Sequence, residues 1–260
     1  MNVIKEKIVK LFNNNVRDKI PNVKSSNSKH SGKYGHWLEA QMGIARNSDN
    51  KPDLLGYEMK NKTTSGKISF GDWSADEYIF ISDSPINDIN KKFQFSKKDF
   101  LKTFGKANPN KGGRYSWSGI PCPTYYNQTS EYGQKLTIDS SDNVVIIYNY
   151  LDDKRKDKET LVPIEMQKEN LILVRWKKET LKKKLEDKFN QNGWFTCSTD
   201  KTRKYNGIHF GEPMNFDSWI KLFKDRKIFF DSGMYDGNIR PYSMWRATTG
   251  VWNNLITESY

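Results

Sequence analysis

Apolar residues recur along this chain with two different periods, and the switches between them lay out its elements. Ile4, Ile8, Leu11 and Phe12 fall on one side of a helix over residues 3–13, and a polar stretch rich in turn formers, IPNVKSSNSKHSGKYG, follows it. HWLEAQMGI predicts a short second helix with Trp37, Leu38, Gln41 and Met42 on a mostly apolar side. From Leu54 the spacing shortens. LLGYEMK, GKISFGDW and EYIFISD each read as a strand bounded by Gly, Asp or Ser, and their succession predicts a meander. SKKDFLKTFG predicts a helix with Ser96 as N-cap and Gly105 as its stop. The Gly-, Pro- and aromatic-rich KANPNKGGRYSWSGIPCPTYYNQ is expected to be a long loop. KLTIDSSDNVVIIYNY carries a hairpin pattern and NLILVRW a buried strand. KKETLKKKLEDKFN predicts a strongly basic helix with Leu181, Leu185 and Phe189 on one face. Beyond it, GWFTC and KIFFD read as strands around the helix FDSWIKLFKD, and the chain closes on an aromatic and basic segment. There is no internal repeat and no linker that forces a domain boundary.

This interleaving of helices and strands predicts an α/β (α+β) architecture, a central mixed sheet flanked by helices. A chain of 260 residues can bury a core of ordinary size. Its 43 Lys plus Arg against 31 Asp plus Glu leave a net charge of +12, which favours a polyanionic partner. A Lys- and Asn-rich genome would produce the same surplus, so charge needs support from chemistry. An aromatic content of 13% argues for a packed protein rather than a disordered one. Cys122 and Cys197 stand far apart without a C-x-x-C pair, which excludes a zinc ribbon and a secreted disulfide framework and makes a reducing cytoplasm the expected compartment. No signal-peptide core follows the N-terminal helix, and no stretch approaches the roughly 18 apolar residues of a membrane span.

Candidate chemistry concentrates in KPDLLGYEMK, residues 51–60. On a strand, Glu58 and Lys60 point one way and Tyr57 and Met59 the other, while Asp53, in the turn after Pro52, can fold back toward the acidic face. Two converging carboxylates call for a cation between them, and hard oxygen ligands select magnesium or manganese over zinc. The lysine can then hold or deprotonate a water and stabilise charge building on a phosphate. A solvent-facing strand with cross-strand ion pairs shows the same E-x-K pattern, and that structural reading stands beside the chemical one. Glu39, in the preceding helix, is an acid from which the same point could be reached. His30, His36 and His209 have no metal-ligand spacing.

The order Gly32, Lys33, then WLEAQMGI, then PDLLGYEMK resembles the PD-(D/E)-x-K nucleases, in particular the branch of the MutH mismatch-repair nickase and the MvaI, BcnI and Sau3AI restriction enzymes. RKIFFDSGMYDGNIRPYSMWRATTGVWNNLI is similar, more loosely, to the C-terminal recognition segment of that group. The resemblance implies a restriction-endonuclease-like core with a DNA-recognition lobe. Residues 1–110 would form the N-terminal part of the catalytic core, and 111–260 the rest of the core with the recognition region. It implies Glu39 as helix acid, Asp53 and Glu58 as metal ligands and Lys60 as catalytic lysine, with Mg²⁺ as cofactor and Mn²⁺ able to replace it. The implied activity is that of a type II restriction endonuclease on double-stranded DNA, acting as monomer or homodimer. A companion DNA methyltransferase would be a functional rather than a physical partner. A repair nickase and a non-catalytic DNA-binding protein are the alternatives.

A duplex reader needs cations for phosphates and a few bidentate side chains for base edges. Asp231, Asn238, Arg240 and Arg246, interleaved with Tyr235, Tyr242 and Trp245, carry such groups. Arg114, in the glycine-rich NPNKGGRYSWSG, is a second candidate, and Lys33 of the Gly-Lys pair a third. The basic run KKETLKKKLEDKFN reads as a solvated helix face with at most a nonspecific phosphate contact.

Overall fold

In the computed structural model, residues 2–23, 32–45, 49–63, 65–86 and 95–260 are described. Much of the polar stretch after the first helix, His30 included, lies outside them. In chain order the elements are α1 (Val3–Asn15), α2 (Lys33–Gln41), β1 (Tyr57–Lys60), β2 (Lys67–Asp72), β3 (Glu77–Tyr78), α3 (Lys97–Phe104), β4 (Lys106–Asn108) and β5 (Arg114–Trp117). Then come β6 (Tyr132–Ile138), β7 (Val144–Asp153), α4 (Lys158–Leu161), β8 (Leu171–Trp176), α5 (Lys178–Phe189), β9 (Gly193–Thr199) and β10 (Tyr205–Gly211). The last are α6 (Phe216–Lys224), β11 (Ile228–Ser232), β12 (Met234–Tyr235), β13 (Ser243–Thr248), α7 (Thr249–Asn254) and β14 (Ile256–Ser259).

Local sequence chemistry explains the helix ends. The Ser96 hydroxyl accepts from the Asp99 N–H while the Asp99 carboxylate accepts from the Ser96 N–H, a reciprocal cap that starts α3. Gly105, at the other end, approaches the backbone so closely that a Cβ would lie 2.5 Å from the Leu101 carbonyl oxygen. The cap of α1 comes from Asn2, whose side chain accepts from the Ile4 N–H at 2.9 Å.

The chain divides into two units, each assembled from separate pieces: residues 1–69, 184–219 and 247–260 in one, residues 70–183 and 220–246 in the other. The first is built on the sheet β1-β9-β10-β14, in which β1 runs parallel to β9 and the other neighbours are antiparallel. One face of it is covered by α1 and α2, through a core that joins Ile8, Phe12 and Leu38 to Tyr57, Met59, Phe195 and Phe210. Trp37 stacks on Tyr205 with ring centres 5.7 Å apart.

The second unit is built on the antiparallel sheet β3-β8-β7-β6 and the small sheet β12-β5-β4. Its core is aromatic: Phe100, Phe104, Trp117, Tyr148, Trp176, Phe230 and Trp245 are all buried. Two buried polar clusters there are paired. Gln134 accepts from the Trp117 indole N–H at 2.6 Å and donates to the Phe104 carbonyl at 2.8 Å, and Arg155 forks onto Asp153, which also accepts from the Tyr148 hydroxyl. A further sheet has the strand order β11-β13-β2.

Two expectations need correction. The strands β1, β2 and β3 do not form a meander; each belongs to a different sheet, because the partners that bury their faces come from distant parts of the chain. The expected long loop after Gly105 contains the hairpin β4-β5, in register from Lys106↔Ser116 to Asn108↔Arg114, with Gly112 at φ 65° in its turn. The β6-β7 hairpin and the α5 helix with its buried Leu181, Leu185 and Phe189 form as the pattern predicts.

Candidate active site

Every residue of β1 is buried, Tyr57 and Met59 toward the α1/α2 core and Glu58 and Lys60 on the opposite face. This excludes a strand with one face in water. The turn before it is shaped for the purpose. The Leu54 and Tyr57 backbones exchange hydrogen bonds at 3.0 and 2.8 Å, with Leu55 and Gly56 both in the left-handed region at φ 51° and 81°. Asn192 braces it, its side chain donating to the Leu55 carbonyl at 2.9 Å, and a Cβ on residue 56 would lie 2.5 Å from that amide nitrogen. The chain therefore doubles back and Asp53 Oδ2 accepts from the Met59 N–H at 2.9 Å, which brings its carboxyl alongside Glu58 and Lys60.

Lys60 Nζ lies 2.7 Å from Glu58 Oε1, and a second ammonium, Lys188 Nζ at the end of α5, lies 3.2 Å from the same oxygen. Among the described residues Glu58 Oε2 is buried with no hydrogen-bond partner. The Phe189 ring centre lies 5.0 Å from Lys60 Nζ. Burial, then the neighbouring Glu58 charge, pushes the Asp53 carboxyl up to about 6 from its ordinary 3.8, although the Met59 N–H and the two lysines pull it the other way. Burial lowers the Lys60 ammonium below its usual range, against the pull of Glu58, and Lys188 adds to the lowering.

The sign of the Asp53 shift has a consequence for stability. An acid harder to ionise in the folded than in the unfolded chain costs stability as pH rises above the ordinary carboxylate range, and the full cost is in place above about 6. In chelator at about pH 7.5, Asp53→Asn is expected to melt roughly 4 °C above the parent, with the gap closing as pH falls toward about 4. Thermal melts at the two pH values measure it; an unchanged gap at both would remove the ionisation of Asp53 as its cause.

Does this donor set suit a metal ion? Among the described residues no group of three or more His, Cys, Asp and Glu side chains is placed to hold one, so protein ligation would come from Asp53 and Glu58 alone. That suits Mg²⁺, which takes one or two carboxylates and completes its shell with water and phosphate oxygens. The orphaned Glu58 Oε2 is the specific sign of fit: a buried carboxylate oxygen without a donor is costly unless something positive meets it.

Glu39 lies half-buried on α2, and its side chain makes no hydrogen bond or ion pair with Asp53, Glu58 or Lys60 among the described residues. Lys33, at the start of that helix, places its ammonium 5.5 Å from the Tyr34 ring centre. His209 sits on the sheet between Ser198 and Ser259, at 2.9 and 2.8 Å. Lys188 is the residue that sequence reasoning missed. Its signal was position, next to Phe189 at the end of the buried Leu181-Leu185-Phe189 stripe, while the surrounding lysines gave it the look of a solvated face.

In the second unit the structure joins the two candidate recognition stretches. β12 pairs with β5, Met234 opposite Trp117 and Tyr235 opposite Ser116, and the Arg114 guanidinium stacks 3.7 Å above the Tyr235 ring. Asn238 is spent inside its own turn, accepting from the Tyr235 N–H at 3.0 Å and from Lys97 Nζ at 2.8 Å and donating to the Arg240 carbonyl at 2.7 Å. Arg240 pairs with Asp72 and lies 5.6 Å from the Tyr242 ring centre, and Arg246 Nε lies 3.0 Å from Asp231 Oδ2. No described helix is long and apolar enough to cross a membrane.

A family model described as LlaMI restriction endonuclease matches residues 16–260. The type II restriction enzyme ScrFI of Lactococcus lactis subsp. cremoris is 44% identical over 272 residues, with 100% of both chains covered. Among solved structures, the restriction endonuclease MvaI in complex with its cognate DNA superposes with a TM-score of 0.65 at 13% identity, over 100% of this chain and 98% of that one, a likeness of fold.

Proposed function

This chain belongs to the LlaMI restriction endonuclease family and is a type II restriction enzyme, a site-specific deoxyribonuclease, and from that premise we propose that Asp53, Glu58 and Lys60 are its catalytic centre. The observation that carries the reading is the buried cluster itself: two carboxylates and a lysine drawn together by one turn, with Glu58 Oε2 lacking any partner. Full-length likeness to a restriction enzyme favours this activity over a repair nickase and over a non-catalytic DNA binder.

Asp53 and Glu58 would hold Mg²⁺, with Mn²⁺ a substitute. The ion supplies a Lewis acid for the scissile phosphate and neutralises its charge. Lys60, released from Glu58 Oε1, would orient the attacking water and share the charge that builds on the phosphoryl oxygens. Its lowered affinity for a proton, caused first by burial, raises the share of neutral amine able to take a proton from that water. The water oxygen would bond to phosphorus in line as the bond to the 3′-oxygen breaks, the proton from water passing to Lys60 or to solvent and the 3′-oxygen taking up a proton from solvent. An outer role for Glu39, acting on the site's water shell rather than holding the ion, belongs to this reading through the family resemblance alone. Double-stranded DNA is the substrate of this reading, a methyltransferase protecting the same sites its functional partner, and the cytoplasm its compartment.

Bare plasmid tests it. The purified protein with Mg²⁺ is expected to cut at discrete sites into linear fragments, to stop in chelator, and to resume when Mn²⁺ is added. Nicked circles alone would indicate a strand nickase, and uncut plasmid with intact duplex binding would indicate a binder without catalysis.

A further inference from the structure

Two ammonium groups meet on one oxygen of Glu58, and they reach it from different elements. Lys60 comes from the same strand, two residues along, and Lys188 from the last turn of α5. That turn is fixed. Leu185 and Phe189 are fully buried, the Glu186 carboxylate accepts from the Phe216 N–H at 3.0 Å, and the Phe189 carbonyl accepts from the Met214 N–H at 3.2 Å. The same turn presents the Phe189 ring to Lys60, so one piece of helix supports both members of the Glu58-Lys60 pair.

We propose that Lys188 is a positioning residue for cleavage: it holds Glu58 by Oε1 throughout turnover, so that Lys60 is free to serve the attacking water while Oε2 stays available to the cation. The inference rests on the catalytic reading of Asp53, Glu58 and Lys60. If Lys60 were the sole partner of Oε1, its departure would leave that oxygen of a carboxylate only 2% exposed without a donor, and Glu58 would swing after the lysine. A second cation, delivered from a rigid helix end and 16% exposed in its side chain, removes that conflict. The groups facing Glu58 then have separate duties, Lys188 as anchor, Lys60 as the mobile partner and Asp53 as co-ligand.

A bystander charge makes the opposite prediction from an anchor. A cation near a metal site repels the metal, so deleting a bystander tightens divalent-ion binding, whereas deleting an anchor frees Glu58 to move and loosens it. Full-length Lys188→Met and Lys188→Arg are compared with the parent, first for Mn²⁺ binding without DNA by the spin-resonance signal of free Mn²⁺, then for plasmid cleavage at saturating Mg²⁺. Lys188→Met is expected to weaken Mn²⁺ binding and to lower kcat, each by about 10- to 100-fold, the range seen when a partner of a metal ligand is removed. KM for DNA should stay within about twofold, and Lys188→Arg, which keeps a donor on Oε1, should recover most of both losses. Mn²⁺ binding as tight as the parent's or tighter in Lys188→Met, or a loss confined to KM, overturns the proposal. Should Lys188→Met fail to fold in a thermal melt, Lys188→Gln is judged by the same two readouts. If Lys60→Ala still cleaves, the catalytic reading fails; if Lys60→Ala is inactive and Lys188→Met matches the parent, only the anchoring role does.

Discussion

Asp53→Ala and Lys60→Ala are each expected to lower plasmid cleavage by about 10³-fold or more while leaving duplex affinity within a few-fold of the parent. The two measurements separate because they depend on different parts of the molecule. Affinity for a polyanion comes from phosphate contacts spread over a surface with a net charge of +12, and one buried lysine adds little to it. Cleavage depends on groups that act at a single phosphorus in the transition state, where a missing ligand or a missing ammonium has no substitute. Neither change should unfold the chain. Lys60→Ala leaves Glu58 paired with Lys188, and Asp53→Ala deletes a carboxyl whose ionisation is already disfavoured by burial. Filter binding in chelator and fragment analysis in Mg²⁺ supply the two numbers. Undiminished cleavage by Lys60→Ala would remove that residue from the centre, and equal losses of binding and cleavage would mean that these side chains hold the structure rather than the reaction.

The geometry of this candidate site was largely legible in ten residues, because one strand and one turn carry it. Alternation along a strand places Glu58 and Lys60 on one side whatever the strand pairs with, and a proline followed by Asp53 marks a turn. What the pattern leaves open is the partner. β1 finds its neighbour β9 only after the whole of β2 to α5 has intervened, and nothing in LLGYEMK names it. The expected meander was therefore reasonable for three strands in succession and wrong for this chain, in which each strand is completed by a distant one. Alternation by itself is equally silent on whether a second face is covered, and Glu58 and Lys60 turn out buried because α5 returns over them.

Elements closed by their neighbours in sequence were read more fully. The Ser96 cap and Gly105 stop of α3 and the β6-β7 hairpin depend on residues a few positions apart. KANPNKGGRYSWSG hides a hairpin because its strands are short and its turn residues outnumber them, so composition looked like loop. Lys188 shows the cost of averaging over a run. In KKETLKKKLEDKFN three of the six lysines, Lys177, Lys182 and Lys183, are exposed, but the position next to Phe189 inherits the environment of the buried stripe, and periodicity is the cue that separates it from the others.

Sequence recognition by Arg240 and Arg246 is expected to appear as a loss of cognate cleavage by about 10- to 100-fold on replacing either with alanine, against a small change in binding to random duplex. Each guanidinium is held in the free protein by one carboxylate, Arg240 by Asp72 and Arg246 by Asp231. Asp72 is itself fixed, since its other oxygen accepts from the Ser243 N–H at 2.8 Å. A planar five-donor group with one carboxylate attached keeps donors for a base edge and starts from a restricted set of orientations, which is the arrangement that suits guanine O6 and N7. Because the Arg240 side chain is 56% exposed, its ion pair contributes little to folding, and loss of activity on its removal cannot be traced to instability. A phosphate-only arginine would behave otherwise: its removal weakens cognate and random DNA alike and flattens the slope of log K against log salt by about one unit. Salt titrations on both duplexes, alongside cleavage, decide between the two. Equal weakening on both would assign Arg240 and Arg246 to the phosphates and move the search for base contacts to Arg114, whose guanidinium already lies flat on Tyr235 at the β12-β5 pairing, 3.7 Å from the ring centre.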